Sequence, residues 1–233
     1  MQFKQQLIPG KLLKRYKRFL ADVELEDGQV ITAHCPNSGS MKTCATRGWE
    51  VRLSRSSNKH RKYPYTWEMV NNGRCWIGIN TGVPNIIVAE ALADRKIPEL
   101  ADFITLNREV RYGVNSRIDI LLQGGSKTCY IEVKNVTLVE DDDIFYFPDA
   151  VTERGTKHLS ELIRVVEQGY RAAMFYVIQR DDGRIFKPAK HIDGKYTEML
   201  QKAVKNGVEI FAYMASVSPE QIYLEHPVPR DLD

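Results

Sequence analysis

The sequence predicts an α+β chain in two parts: a small β-barrel over residues 1–82, then a mixed sheet flanked by helices over residues 83–233. Three observations predict this. Up to roughly residue 80, apolar residues alternate in short runs separated by turn signals. Near residue 82 the apolar period lengthens to that of a helix. Beyond it, helical stretches alternate with strands, and one strand is apolar throughout, the mark of burial on both faces. With 233 residues, 43% hydrophobic and 27% charged, the chain suits one large domain or two small ones.

In the first part, "FLADVEL" and "QVITAHC" flank an Asp27-Gly28 turn. "EVRLSRS", "YTWEMV" and "CWIGIN" read as three more strands, with turns at "PNSGS", "RGW" and "NNG". Five short strands suit a barrel of the OB type, which commonly binds single-stranded nucleic acid or oligosaccharide. The boundary falls at Gly82 to Asn85. "VPNIIVAEALADRK" then places Ile86, Val88 or Ala89, Leu92 and Ala93 on one helical face, with Pro84 early and Pro98 at the exit. "REVRYG" reads as a strand, and "SRIDILLQGGSKTCYIEVKN" (Ser116 to Asn135) as a hairpin. A helix follows from Thr152, its cap, to Gln168, with Gly169 to end it and an apolar stripe of Leu159, Leu162, Ile163 and Val166. "AAMFYVIQ" is the doubly buried strand, and a helix over 193–206 and the strand "VEIFAYM" complete the pattern. The run "EDDD" (Glu140 to Asp143) reads as a solvated loop.

The net charge of +3 conceals an asymmetry. Residues 1–80 carry 14 Lys/Arg against 6 Asp/Glu, and the remainder 19 against 24. A polyanion held by the first part and worked on by the second fits this division; a solvated basic face fits the first half equally well. Cys35, Cys44, Cys75 and Cys129 show no C-x-x-C spacing, which argues against a zinc ribbon and fits a reducing compartment. The opening residues are too interrupted by charge for a signal peptide, and no apolar run reaches membrane-spanning length. These features predict a soluble cytoplasmic protein with no membrane partner. There is no phosphate-binding P-loop, no G-x-G-x-x-G and no G-x-S-x-G, so no nucleotide cofactor is expected. His34, His60, His191 and His226 stand alone without ligand spacing.

The hairpin carries the chemistry. A two-residue turn at Gly125-Ser126 sets Gly124 opposite Lys127, Leu122 opposite Cys129 and Asp119 opposite Glu132; a turn at Gly124-Gly125 sets Asp119 opposite Tyr130 instead, with the charges still on one face. Lys134 joins the same face, while Ile118, Ile120, Ile131 and Val133 point to a core on the other. Two adjacent carboxylates need a cation between them. Lys134 supplies one charge, and Mg²⁺ or Mn²⁺ held by Asp119 and Glu132 completes the balance. Such a cluster suits phosphodiester hydrolysis, with Lys134 orienting water and stabilising developing negative charge.

Asp119 followed by Glu132-x-Lys134 on a hairpin, in helix–strand–strand–strand–helix–strand order, resembles the PD-(D/E)xK nuclease superfamily; Ile118 stands where the motif has proline. "RYKRFLADV", "HCPNSGSM", "RKYPYTWEMV", "SRIDILL", "YIEVKNVTL" and "FPDAVTERGTKHLSELI" together closely resemble the sugar fermentation stimulation protein (SfsA) family. That resemblance implies a bacterial or archaeal protein with an OB-like domain, a nuclease-like domain, DNA binding and a link to sugar utilisation. The superfamily resemblance implies a further acid on the leading helix, for which Glu90 is the candidate. It also suggests that Arg154 and His158, on one stripe with Glu161, contact phosphate near the helix start. Asn37 and Ser40 of "CPNSGSM" are expected at a phosphate or in the interdomain cleft. Arg15, Lys17, Arg18, Arg55, Lys59, Arg61 and Lys62 are expected to hold nucleic acid, DNA before RNA, with Tyr63, Tyr65 and Trp67 serving as stacking surfaces or as core.

Two functions follow as expectations: a DNA-binding, metal-dependent nuclease using Glu90, Asp119, Glu132 and Lys134, or a DNA-binding regulator of sugar-utilisation genes that kept the scaffold without catalysis. An ion pair of purely structural purpose is a weaker third, because it leaves two carboxylates adjacent for no gain.

Overall fold

The computed structural model describes residues 1–112, 116–140 and 143–233. Gly113 of the expected "REVRYG" strand and Asp141 and Asp142 of the acidic run lie outside the described residues.

The first part holds β1 (Ile8–Tyr16), β2 (Leu20–Leu25), β3 (Val30–His34), β4 (Glu50–Arg55), β5 (Tyr65–Asn71) and β6 (Trp76–Gly78). Strand β1 pairs with both β2 and β4, β4 with β5, and a parallel bridge from His34 to Thr66 joins β3 to β5. The neighbour order β1-β2-β3-β5-β4-β1 closes a five-stranded OB barrel, with β6 added to the far half of β5. Closure removes the exposed edges that an open sheet of this size would present. Leu12, Val23, Val51, Leu53, Trp67 and Ile77 fill the interior. The five expected strands are β2 to β6. Strand β1 was not expected: its run of cations hides the apolar positions, and a bulge between Leu12 and Lys14 breaks the alternation.

The second part begins with α1 (Val83–Ala93) and a short 3-10 turn, Pro98–Leu100. Then come β7 (Thr105–Tyr112), β8 (Ser116–Gly124), β9 (Lys127–Val136), β10 (Leu138–Val139), β11 (Ile144–Phe147), α2 (Glu153–Glu167), β12 (Arg171–Ile178), β13 (Ile185–Pro188), α3 (Gly194–Lys205), β14 (Glu209–Val217) and β15 (Ile222–Pro227). The main sheet runs β15-β14-β12-β9-β8-β7; β9, β12 and β14 are parallel and the other pairs antiparallel. Strands β10, β11 and β13 form a second, smaller sheet.

Each face of the main sheet meets helices. Ala173, Phe175 and Val177 of β12 pack with α1 residues Ile87, Val88 and Leu92. Ala172, Met174, Tyr176 and Ile178 pack with Leu159 and Leu162 of α2 and Leu200 of α3. One strand therefore serves two cores, as its unbroken apolar run requires. Thr152 caps α2 by accepting from the Gly155 N–H at 3.0 Å, and Asp193 caps α3 by accepting from the Tyr196 N–H. Gly169 ends α2 with φ +86°.

Residue 83 opens α1, where the second part was expected to begin, but residues 1–7 do not stay with the barrel. Leu7 is buried in the α1-side core, Gln2 bridges Gln221, and Phe3 N–H donates to the Glu220 carbonyl. No helix of the described residues is long and apolar enough to cross a membrane.

Candidate active site

The hairpin turn has the expected register: Gly124 faces Lys127, Leu122 faces Cys129 and Ile120 faces Ile131. The register ends there, one step short of the expected pairing of Asp119 with Glu132. One expectation fails here. Ile118 does not share the face of Ile120, Ile131 and Val133; it is buried with the α2 core. The regular pairing of β8 with β9 stops at Ile120, and the Asp119 carboxylate takes the place of a ladder partner: Oδ2 accepts from the Val133 N–H at 2.8 Å. Its Oδ1 accepts from Asn85 Nδ2 at 2.8 Å, so the α1 residue that reaches this acid is Asn85 and not Glu90.

Glu132 is 3% exposed and points toward α2. Its Oε1 accepts from Lys134 Nζ at 2.6 Å and forms a short contact with His158 Nδ1. Arg154 Nε donates to His158 Nε2 at 3.3 Å, which leaves Nδ1 to carry the proton that meets Glu132. Glu132 Oε2 is buried without a hydrogen-bond partner among the described residues. Burial pushes the Asp119 carboxyl above its ordinary range and the nearby Glu132 charge adds to this, against the Val133 N–H, Lys134 and Asn85. Burial also pushes Glu132 up, but His158 and Lys134 outweigh it and the net shift is downward. The two acids thus sit in unlike environments.

Two other expectations are corrected. Glu90 is exposed, and its Oε2 pairs with the Met1 amine at 2.5 Å, away from the cluster. Of the stripe Arg154–His158–Glu161, expected to meet phosphate through Arg154 and His158, two members are buried, His158 and Glu161. His158 reaches Glu132 instead of standing free for phosphate; only Arg154 is exposed.

Asn85 and Lys134, which bond the two acids, line a cleft of about 560 Å³ between the barrel and α2. Arg18, Asn37, Ser40 and Arg154 line it too. Its barrel-side wall is the loop after β3. Arg15 fastens that loop, donating to the carbonyls of Arg18, Asn37, Gly39 and Ser40. Arg15 is thereby a clamp within the fold, not a free phosphate ligand. Asp149, across the cleft, accepts from Ser40 Oγ and the Met41 N–H. Gly39 is required at this approach, because a Cβ there would come within 2.4 Å of the Asp149 carboxylate.

The other basic residues gather at one end of the barrel. Register joins Tyr16 to Leu20, Leu20 to His34, His34 to Thr66, and Arg55 to Tyr65. The β1–β2 turn with Lys17 and Arg18, the end of β4 with Arg55, and the β4–β5 loop with Lys59, Arg61 and Lys62 therefore share a rim. Arg55 lies over Tyr65 and Lys62 over Tyr63. Trp67 is fully buried and belongs to the barrel core.

Two family models match the chain: the SfsA N-terminal OB domain over residues 13–79 and the sugar fermentation stimulation protein RE domain over residues 82–221. The chain belongs to the sugar fermentation stimulation protein family. Among curated members of the family, a homologue from Geotalea uraniireducens is 56% identical, covering 95% of this chain and 96% of its own. One from Pelobacter propionicus is 54% identical, covering 96% of each. A solved family structure, described as Pyrococcus furiosus SfsA in complex with Ca²⁺, is 25% identical with a TM-score of 0.89, over 99% of this chain and 98% of that one.

The donor set at the hairpin fits a hard divalent cation. Asp119 and Glu132 offer carboxylate oxygens, one of them buried without a partner, and Lys134 leaves the cluster one negative charge in excess. Among the described residues no group of three or more His, Cys, Asp and Glu gathers at one metal position. Two carboxylates with the rest of the shell from waters and substrate phosphate is the arrangement that Mg²⁺ ordinarily takes.

Proposed function

We propose that this protein is a Mg²⁺- or Mn²⁺-dependent phosphodiesterase acting on nucleic acid, with DNA the first substrate to test. One observation carries the reading: Glu132 Oε2 is buried and without a partner among the described residues, near the Asp119 carboxylate, and the side chains bonded to the two acids, Asn85 and Lys134, line a cleft that Arg18 and Arg154 also line. A buried carboxylate oxygen without a donor costs on the order of 1–3 kcal/mol, a cost that a ligand would relieve. The Ca²⁺ complex described for the Pyrococcus furiosus relative supports it, since Ca²⁺ and Mg²⁺ both take oxygen ligands.

Asp119 and Glu132 would hold the ion, which when bound polarises a phosphoryl oxygen and acidifies a coordinated water. Asn85 and the Val133 N–H fix the direction of the Asp119 carboxylate. His158 and Lys134 fix Glu132. Lys134 lines the cleft and, with Nζ held by Glu132, would offer a positive charge to a phosphate there, where charge builds up during hydrolysis. Glu90 has no part in this.

The test is cleavage of labelled single- and double-stranded DNA and RNA in EDTA, Mg²⁺ or Mn²⁺. Asp119→Asn, Glu132→Gln and Lys134→Ala are each expected to reduce metal-dependent cleavage by at least a hundredfold while leaving binding in place. Binding without cleavage in either metal would remove the enzyme reading and leave a non-catalytic DNA-binding regulator.

A further inference from the structure

We propose that the cleft between the barrel and α2 receives a single strand of nucleic acid, gripped by Arg18 and Arg154 on either side of Lys134. The inference names a substrate class and rests on the phosphodiesterase reading for its purpose, though its binding step can be measured without cleavage.

Size is the first argument. A cleft of about 560 Å³ is the volume of a small-ligand pocket. A duplex is a far wider rod whose phosphates lie on its outer surface. It could bring a phosphate to Lys134 only by releasing one strand, as enzymes that work inside narrow pockets require.

Rigidity is the second. A hinge between the domains would let the cleft widen, but the two parts are fastened at many points. Gly78 N–H donates to the Gln179 carbonyl, Arg180 Nη1 donates to Thr43 Oγ1, and Cys44 Sγ donates to the Thr137 carbonyl. Asn72 donates to Asp182, and residues 1–7 cross from the barrel to the second core. The loop after β3 is held on one side by Arg15 and on the other by Asp149.

Charge is the third. Arg18 enters from the β1–β2 turn, Arg154 from the first turn of α2, and Lys134 from β9. Among the described residues lining the cleft the one carboxylate, Asp149, already accepts from Ser40 Oγ and the Met41 N–H. Partly exposed Phe147 lines the same space and gives a base an apolar surface. The barrel rim, with its Arg55–Tyr65 and Lys62–Tyr63 pairs, is built for the same kind of strand.

The experiment is fluorescence anisotropy with labelled 20-nucleotide single strands of DNA and RNA and the matching duplexes, in EDTA, over a range of salt. Single strands are expected to bind at least tenfold tighter than duplexes. Arg18→Ala and Arg154→Ala should each weaken single-strand binding several-fold. Each should also flatten the dependence of log K on log salt by about 0.7, the slope of one phosphate contact on a single strand. Circular dichroism of each variant confirms that it is folded. Duplex binding as tight as single-strand binding, no single-strand binding, or unchanged affinity in both variants overturns the proposal. Cleavage on the same samples is read separately: loss of single-strand preference with metal-dependent cutting intact spares the phosphodiesterase reading, and the reverse result spares this one.

Discussion

Glu132 is a buried carboxylate whose oxygens have unequal fates: among the described residues Oε1 has two partners and Oε2 none. Removing His158 would take away one of those partners, whereas Arg154, which is exposed, would exchange its His158 acceptor for water. His158→Ala is therefore expected to destabilise the metal-free protein by about 1–3 kcal/mol, read as a lower urea midpoint. His158→Gln, which keeps an amide donor, should recover part of the loss. A midpoint unmoved in His158→Ala would mean that the contact contributes nothing. Glu132 and Lys134 were legible because strand alternation fixes which residues share a face; Asp119 was named on the same ground, but its carboxylate leaves the ladder to accept from the Val133 N–H. Glu90 and Asn85 were not, because each answers to a residue far away in the chain. Glu90 meets an amine 89 positions earlier, and Asn85 reaches across to β8. His158 carried a sequence signal, its position on one stripe with Arg154, but nothing local showed that the stripe turns inward to Glu132.

At the scale of elements, α2 sets the positions of both Arg154 and His158, so its first turn matters beyond its own stability. Thr152 accepts from the Gly155 N–H, and its own N–H donates to Asp193, the cap of α3. The two helices are thus started from one joint. Gly155 has no room for a side chain there, since a Cβ would meet Thr152 and Tyr196 at about 3 Å. Thr152→Ala is expected to cost about 1 kcal/mol, and Thr152→Ser much less, in thermal or urea unfolding. Equal losses in both would show that the methyl group, not the hydroxyl, carries the effect. This helix was legible from its cap, its apolar stripe and its terminal glycine. Strand β1 was not, because Lys11, Lys14 and Arg15 sit on a strand whose bulge shifts the inward positions. Strands β10, β11 and β13 run for only two to four residues, too few for a period to register.

At the scale of the molecule, the change of period near residue 82 marked the start of α1 but not how firmly the two parts are joined. That depends on contacts between residues far apart in the chain, and Arg180 is central to it. It is 3% exposed, donates across the junction to Thr43 and within its own part to the Thr137 carbonyl, and forms a two-bonded pair with Asp182 at 2.6 Å. Asp182 also accepts from Asn72 of the barrel. Burial by itself would raise the Asp182 carboxyl, but Arg180 and Asn72 prevail and hold it at about 2, below its ordinary 3.8. A carboxyl whose folded value is depressed stabilises the fold fully above its unfolded value and loses that contribution as pH falls toward the folded one. The contribution of Asp182 is thus complete above about pH 4 and disappears as pH falls to about 2. Asp182→Asn should unfold at a lower temperature than the parent protein at pH 7, and the gap should close between pH 4 and pH 2. A gap that stays constant from pH 7 to pH 2 would show that the loss comes from packing or the neutral hydrogen bonds. The junction would then owe its firmness to shape and not to this ion pair.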